Sequence, residues 1–268
     1  WACLFCASLL VLLLRLWQAD LHVPMVYSRD ALFFLPMAKG LTQGQWIWTN
    51  SHLAAPFGFA LWDLPIFITL EAAVMKGLAF LTQSPGLILN LVWLLATVLT
   101  AGSMTWCLKR LAIDTWIAVS IGVIYALQPF GFRQGIVHLH SLFYLVPFIA
   151  TGALELVSGR LTLNGQAAAQ VPGKSRVREF AGSVPRYLWL ACIGIGLSYV
   201  YNAFFSCFVL VAAALLAFIT RRRMRDLVLG AGSVLLICFV LFINLSPAFY
   251  YQAVQGKNPA MDFKQPAE

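Results

Sequence analysis

Charge is scarce in this sequence. Only 10% of its 268 residues are Asp, Glu, Lys or Arg, and 61% are hydrophobic. This composition excludes an ordinary soluble domain and indicates an integral membrane protein. The formal net charge of +8 does not indicate nucleic-acid binding. Much of it lies in short clusters beside apolar runs, where basic residues set the orientation of a chain in the membrane.

Other features are missing as well. The apolar runs lack the residue-by-residue alternation of a membrane barrel, so helices are the predicted spanning elements. The six cysteines lie within or at the ends of apolar runs, and the pair Cys3-x-x-Cys6 has no acid, His or second cysteine pair beside it. We therefore interpret the thiols as packing residues rather than a metal or redox centre. The sequence opens within an apolar run and closes within a polar one, so we expect a fragment open at both ends.

Seven apolar segments are long enough, or nearly so, to cross a bilayer as helices. They cover about 1–17, 86–108, 113–130, 141–158, 187–201, 204–220 and 227–246. An eighth segment, 66–81, contains Glu71 and Lys76, which favours an interfacial or partly buried helix. There Glu71 either pairs with Lys76 or faces a cavity. We predict an all-α, polytopic transmembrane helix bundle, with about seven spans in a single domain covering 1–268.

Basic residues predict the orientation of these spans. Three clusters, at 109–110, 160–186 and 221–225, contain eleven of the eighteen Lys and Arg side chains. If 66–81 does not cross the membrane, all three clusters fall on the cytoplasmic side. The segment 18–85 is then a long outer loop with interfacial helices, one of them from Asp30 to Gly40, and 159–186 is a flexible cytoplasmic linker. All four histidines then lie in outer loops, as do Asp30 and Asp63.

The leading catalytic candidate is Asp30, the first acid of the outer loop's predicted helix. A plain helix N-cap is its alternative role, because an N-terminus stabilises a carboxylate. The substrate-binding candidates are polar or basic residues of the outer loops: Arg29, Asn50, Asp63, Arg133, His138 and His140. For Asn50 and Asp63 a turn role is the alternative, and for the two histidines it is solvation at headgroup level. A zinc site on the histidines would need a third ligand.

Four short pieces of the chain resemble a bacterial subgroup of GT-C-like membrane proteins. They are Ser28–Phe33 (SRDALF), Trp48–Asn50 (WTN), Pro56–Gly58 (PFG) and Pro129–His138 (PFGFRQGIVH). The order of elements is also similar, with one membrane helix, a long outer loop carrying an acid near its start, and many further helices. The GT-C class comprises polytopic glycosyltransferases that use polyprenyl-phosphate sugars as donors. The resemblance implies a catalytic role for Asp30, a bacterial inner membrane location with the first loop periplasmic, and an envelope glycan, lipid or protein as acceptor.

An inverting sugar transfer needs a base for the acceptor hydroxyl and a cation for the departing phosphate. Asp30 is the expected base, with Arg133 or Arg29 on the phosphate and His138 assisting either partner. Many GT-C enzymes carry a second acid in the second outer loop, whereas here that loop has no Asp or Glu. Because Mg or Mn prefers several oxygen ligands, this departure argues against a metal-dependent mechanism. The lipid-linked sugar is a substrate, no cofactor is predicted, and a divalent metal is an alternative without identified ligands.

Two other classes of function stay open. A transporter or flippase of lipid-linked envelope intermediates would line a path at mid-membrane depth with charged residues. Here the acids and histidines cluster in the outer loops, and the central spans carry few charges apart from Glu155. The other alternative is a non-catalytic scaffold subunit of an envelope complex. In each case membrane lipids are the expected surroundings of the chain.

Overall fold

A computed structural model of the protein describes residues 1–51, 56, 58–60, 62, 68–130, 142–161 and 185–256. These residues are predominantly helical. The helices are α1 (Ala2–Leu13), α2 (Ala31–Thr42), α3 (Thr69–Ala79), α4 (Pro85–Arg110), α5 (Thr115–Ala126), α6 (Val146–Ser158), α7 (Arg186–Leu197), α8 (Val200–Arg221) and α9 (Met224–Gln255). Two short strands, β1 (Thr49–Asn50) and β2 (Phe59–Ala60), pair antiparallel between α2 and α3.

Three helices of the described part, α4, α8 and α9, are long and apolar enough to cross a membrane. Their 26, 22 and 32 residues correspond to about 39, 33 and 48 Å of helix, against roughly 30 Å of bilayer hydrocarbon. Helix α4 starts cleanly because the Ser84 hydroxyl accepts a hydrogen bond from Leu87 N and Pro85 occupies the first turn,. Its last turn carries Lys109 and Arg110, which complement the helix dipole,.

Four of the seven predicted spans contain shorter apolar helices. Helices α1, α5 and α7 have 12 residues each and α6 has 13, or about 18 to 20 Å. They are shorter than the segments that hydrophobicity alone outlines, and shorter than a bilayer core. The structure therefore establishes a helical protein with three membrane-length helices, and the count of seven spans stays a prediction.

The apolar core falls into groups that follow the order of the chain. Helices α2, α3 and α4 share one cluster, in which Phe34, Met37, Met75 and Ile88 are buried. Helices α6 to α9 share another. Close approach within it depends on small residues: a Cβ added at Gly230 of α9 would lie 2.3 Å from the Cβ of Ala214 in α8,. The segment predicted to lie at the interface, α2 and α3, thus packs against the first long helix.

Two ion pairs gather helix termini at one end of the molecule. Glu155 of α6 is buried and accepts hydrogen bonds from Arg110 Nε (2.5 Å) and from the Tyr187 hydroxyl of α7 (2.8 Å). The Arg110 guanidinium also lies over the Tyr187 ring, 4.8 Å from its centroid,. These contacts join the C-termini of α4 and α6 to the N-terminus of α7.

Arg221, at the end of α8, makes the second pair. It bonds Asp226 of α9 and donates to the carbonyls of Leu156 and Val157 at the end of α6. Since those carbonyls follow Glu155 directly, the basic clusters at 109–110 and 221–225 lie at the same end of the helix assembly. The predicted linker 159–186 connects α6 to α7 and lies mostly outside the described residues.

Candidate functional site

Helix α2 positions Asp30 at its N-terminus. A helix was expected from Asp30 to Gly40 because of the apolar spacing there, and the observed helix runs from Ala31 to Thr42. Asp30 occupies the N-cap position, and its backbone carbonyl accepts from Phe33 N and Phe34 N at 2.9 and 3.0 Å. Its carboxylate makes no capping hydrogen bond to the helix. Asp30 therefore lies at the helix N-cap, as its alternative role required, and its catalytic role stays a prediction.

The backbone before Asp30 is unusual. Arg29 has φ +52°, in the left-handed region that side chains other than Gly rarely adopt,. This conformation turns the chain sharply into α2, and the side chains of both Arg29 and Asp30 are exposed. A left-handed non-glycine residue carries a local free-energy cost, of the order of 1 kcal/mol, that the surrounding packing must offset. The bend leaves two exposed residues of opposite charge, Arg29 and Asp30, directly before the first residue of α2.

Asn50 has a defined structural partner. Its Nδ2 donates to the carbonyl of Pro36 in the middle of α2, at 3.1 Å. The bond ties the β1–β2 pair to the helix, and the amide also lies 3.2 Å from where a Cβ on Gly40 would stand. A side chain other than hydrogen at Gly40 would therefore disturb this contact. The predicted substrate role of Asn50 stays a prediction beside this structural one.

Tyr199 faces the Asp30 region from the turn between α7 and α8. Burial is the main reason that its pKa is raised, and the charges of Tyr201 and the Asp30 carboxylate raise it further,. The ring also packs edge-on against Tyr201 with centroids 5.0 Å apart. Tyr199 therefore lies within electrostatic range of Asp30. Its position adjoins the buried Ser198 on the same turn.

Glu71 is the most deeply buried acid near this turn, with 2% of its surface exposed. Its Oε1 accepts hydrogen bonds from the Ser198 hydroxyl at 2.8 Å and the Tyr144 hydroxyl at 3.1 Å. Helix α3 is not among the membrane-length helices, and burial raises the pKa of Glu71 there,. The pairing with Lys76 considered from the sequence is wrong, because that ammonium donates to the carbonyl of Leu41 at 2.8 Å.

A second polar link binds α3 to the long helix α9. The Thr69 hydroxyl donates to Asn244 Oδ1 at 2.6 Å, and Asn244 Nδ2 donates to the Gly196 carbonyl at 3.2 Å. Gly196 lies two residues before Ser198, so this link and the Glu71 link hold the same turn. Both depend on long-range pairs, separated by 48 to 175 residues in sequence. No local pattern in the sequence indicated them.

The outer segment is also attached to α4 and to the far end of α9. Asn90 of α4 accepts from Met25 N and donates to two backbone carbonyls of the segment 21–23. Trp62 stacks between Trp48 and Tyr251, with centroid distances of 5.1 and 5.6 Å. The stack joins Trp48 and Trp62, both in the segment between α2 and α3, to α9.

A groove of about 480 Å³ opens beside this cluster, between α5, α6 and α8. Its lining is largely apolar, with Phe130, Phe143 and Phe205 among the aromatic residues and Gln128 and Asn202 as polar ones. Phe143 directly precedes Tyr144, the partner of Glu71. The backbone N–H of Asn202 donates to the Tyr199 carbonyl at 2.9 Å. One end of the groove thus adjoins the same turn that carries Ser198 and Tyr199.

Several predicted site residues lie outside the described part of the chain: Asp63, Arg133, His138 and His140. The segment that follows 131–141 is described, and Leu142 is buried in the α2–α4 core. The second predicted outer loop therefore ends against the helices that carry Asp30 and Glu71. Within the described residues, no three His, Cys, Asp or Glu side chains lie close enough together to hold a metal ion.

The turn that carries Ser198 and Tyr199 is thus hydrogen-bonded to Glu71 through Ser198 and lies within electrostatic range of Asp30 through Tyr199. The sequence singled out Asp30, whereas for Glu71 it offered a pair with Lys76 or a position facing a cavity and identified neither Tyr144 nor Ser198 as a partner. Comparison of the chain with protein-family models, with curated proteins and with solved structures gave no match.

Proposed function

We propose that this protein is a membrane glycosyltransferase that moves a sugar from a polyprenyl-phosphate donor to an envelope acceptor. The reaction takes place at the outer face of a bacterial inner membrane, with about seven helices crossing it and the first loop periplasmic. Asp30 is the general base for the acceptor hydroxyl, and Arg29 or Arg133 holds the departing phosphate. The observation that carries the proposal is the apolar groove that meets the polar cluster at the α7–α8 turn.

The size of the groove suits part of a lipid chain. A methylene group fills about as much space as a water molecule, roughly 30 Å³, so 480 Å³ has room for a chain of about sixteen such groups. Phe130 and Phe205 are exposed at the groove, so a chain could enter from the surrounding lipid. Because lipid tails are already apolar, occupancy gains little hydrophobic free energy. Affinity would therefore depend on the phosphate and sugar near Tyr199 and Asn202.

The chemistry at Asp30 follows from its position. The exposed Asp30 carboxylate is able to accept a proton from an acceptor hydroxyl that approaches from outside. The Tyr199 hydroxyl, which is within electrostatic range of Asp30, donates a hydrogen bond as negative charge develops on the departing phosphate. The adjacent Arg29 guanidinium stabilises the same charge. Each group acts at the surface of the bundle, where a lipid-borne donor and an envelope acceptor can meet.

Asp30→Asn is the direct test, with Asp20→Asn as the matched control. Asp20 is also an exposed outer-segment acid, but its carboxylate caps the local turn through His22 N. With a short-chain polyprenyl-phosphate sugar and release of polyprenyl phosphate as the readout, we expect Asp30→Asn to lower the rate at least a hundredfold and Asp20→Asn to leave it within twofold. Transfer by folded Asp30→Asn at the parent rate would refute the assignment of the base.

The proposed topology has its own test. A cysteine replacing the exposed Gln43, in the turn after α2, should react with a membrane-impermeant maleimide from the periplasmic side. A cysteine replacing the exposed Arg225, at the start of α9, should react only after the membrane is opened. Labelling of both positions from the same side would contradict the orientation.

Transport of a lipid-linked intermediate is the second candidate function. The buried Glu71 favours it, since an acid enclosed among helices is typical of proton-coupled carriers. Protein in liposomes that moved the intact lipid-linked sugar across the bilayer, without releasing polyprenyl phosphate, would support transport over transfer.

A further inference from the structure

The surroundings of Glu71 suit a neutral acid better than a carboxylate. Both hydroxyl donors, from Tyr144 and Ser198, bond the same oxygen, Oε1, while Oε2 is buried and has no hydrogen-bond partner among the described residues. Among the described residues no cation pairs with it, and Tyr144 is the titratable group in contact with it. Lys76, on the same helix, is occupied by the end of α2. An isolated buried carboxylate would be costly, and protonation removes that cost.

The two donors belong to different parts of the chain. Ser198 lies on the α7–α8 turn, and Tyr144 lies just before α6, in the segment that leads from the second predicted outer loop. Glu71 therefore joins α3 to both, and the turn it holds carries Tyr199 toward Asp30. The turn itself is short, with Ser198 N bonded to Gly194 O at 3.0 Å and Asn202 N to Tyr199 O at 2.9 Å. Its position depends on side-chain contacts such as that of Glu71.

We propose that Glu71 is a proton-binding positioning residue: as a neutral acid it fixes the α7–α8 turn so that Tyr199 faces Asp30, and its ionisation releases that turn. Loss of the proton leaves a buried charge that no cation among the described residues pairs with, so α3 and the turn separate to admit water. The role in positioning Tyr199 for catalysis rests on the proposed function. The protonation of Glu71 and its hold on the turn do not.

The protonation state is measured by infrared spectroscopy of the protein in an ester-free detergent. At neutral pH the parent should show the carbonyl band of a neutral carboxyl group, and Glu71→Gln should lack it. Glu155→Gln is the matched control, because it removes the other buried glutamate, whose carboxylate pairs with Arg110. That control should retain the band. A parent spectrum identical to that of Glu71→Gln in this region would overturn the proposal.

The hold on the turn is measured by hydrogen–deuterium exchange of residues 197–203, corrected for the intrinsic pH dependence. In the parent, protection should fall at least tenfold as pH rises, with the same midpoint as the loss of the infrared band. Glu71→Gln should stay protected at every pH, since its amide oxygen still accepts from both hydroxyls, and Glu71→Ala should be unprotected throughout. If Glu71→Gln exchanged as fast as Glu71→Ala, or if exchange did not follow the band, the switch would be refuted.

The transfer assay separates this inference from the proposed function. Glu71→Gln should keep the parent rate at neutral pH and lose the decline in kcat seen in the parent at high pH. A parent protein without transfer activity, but with the expected band and exchange, would refute the glycosyltransferase proposal and leave the Glu71 switch intact. Transfer in the parent with a pH profile that Glu71→Gln does not change would refute the positioning role.

Discussion

Arg221 offers the sharpest test of how the helix ends are held together. Its guanidinium bonds Asp226 at 2.9 to 3.0 Å and donates to two carbonyls, of Leu156 and Val157, at the end of α6. The Arg221 side chain is 20% exposed and that of Asp226 is 2% exposed. Breaking a buried pair by removing one partner costs about 3 to 5 kcal/mol. Because Arg221 is still partly exposed, we expect Arg221→Ala to lower the free energy of unfolding by about 3 kcal/mol, the lower end of this range.

Arg221→Lys should recover only part of this loss. A lysine ammonium keeps the charge but cannot reproduce the fork that reaches a carboxylate and two carbonyls at once. We expect it to cost about 1.5 kcal/mol, roughly one charge-assisted hydrogen bond. Arg225→Ala is the control, because Arg225 is exposed and its removal should change the free energy of unfolding by less than about 0.5 kcal/mol.

The measurement is the free energy of unfolding in mixed micelles titrated with a denaturing detergent, followed by circular dichroism. The order of stability should be parent, then Arg221→Lys, then Arg221→Ala, with Arg225→Ala equal to the parent. An Arg221→Ala variant as stable as the parent would show that the α6 carbonyls and Asp226 are satisfied without the guanidinium. Equal losses for the lysine and alanine variants would show that the fork geometry alone, and not the charge, stabilises this end.

Three further predictions use the same titration. Tyr187→Phe should lower the free energy of unfolding by about 1.5 kcal/mol, because the hydroxyl's hydrogen bond to Glu155 is lost. Glu155→Ala should lower it by about 3 kcal/mol, because it removes the partner of the Arg110 guanidinium. Equal losses for the two variants would contradict the ion pair between Arg110 and Glu155. Asn90→Leu should cost about 2 kcal/mol and speed proteolysis within 18–25, because three backbone groups lose their partner; unchanged proteolysis would contradict this anchor. Burial raises the pKa of Glu71 in the folded protein above its value in the unfolded chain. The free energy of unfolding should therefore fall by about 1.4 kcal/mol per pH unit as the pH rises from ~4.3 to that raised pKa. Glu71→Gln should lack this decline.

Asp30 and Glu71 differ in how much of their role could be predicted from the sequence. Asp30 was identified because an acid before an apolar helix in an outer loop is a local pattern, and α2 begins directly after it. For Glu71 the sequence left two alternatives, a pair with Lys76 on its own helix or a position facing a cavity. Its actual partners, Tyr144 and Ser198, are 73 and 127 residues away. The second predicted outer loop, with Arg133 and His138, lies outside the described residues, so its convergence with Asp30 stays a prediction.

By itself the sequence determined that this is a helical membrane protein. A chain this apolar must satisfy its backbone hydrogen bonds within the bilayer as helices or as a closed barrel, and the alternation of apolar and polar residues typical of a barrel is missing. It also grouped the basic clusters, and the structure places Arg110 and Arg221 on consecutive parts of α6. Helix length was decided by tertiary structure, since α1, α5 and α7 end before their hydrophobic runs do and α6 begins five residues after its run starts. The candidate site was also decided by tertiary structure. Hydrogen bonds between distant segments fix the turn that carries Ser198 and Tyr199, and burial, which depends on the whole fold, raises the pKa of Glu71.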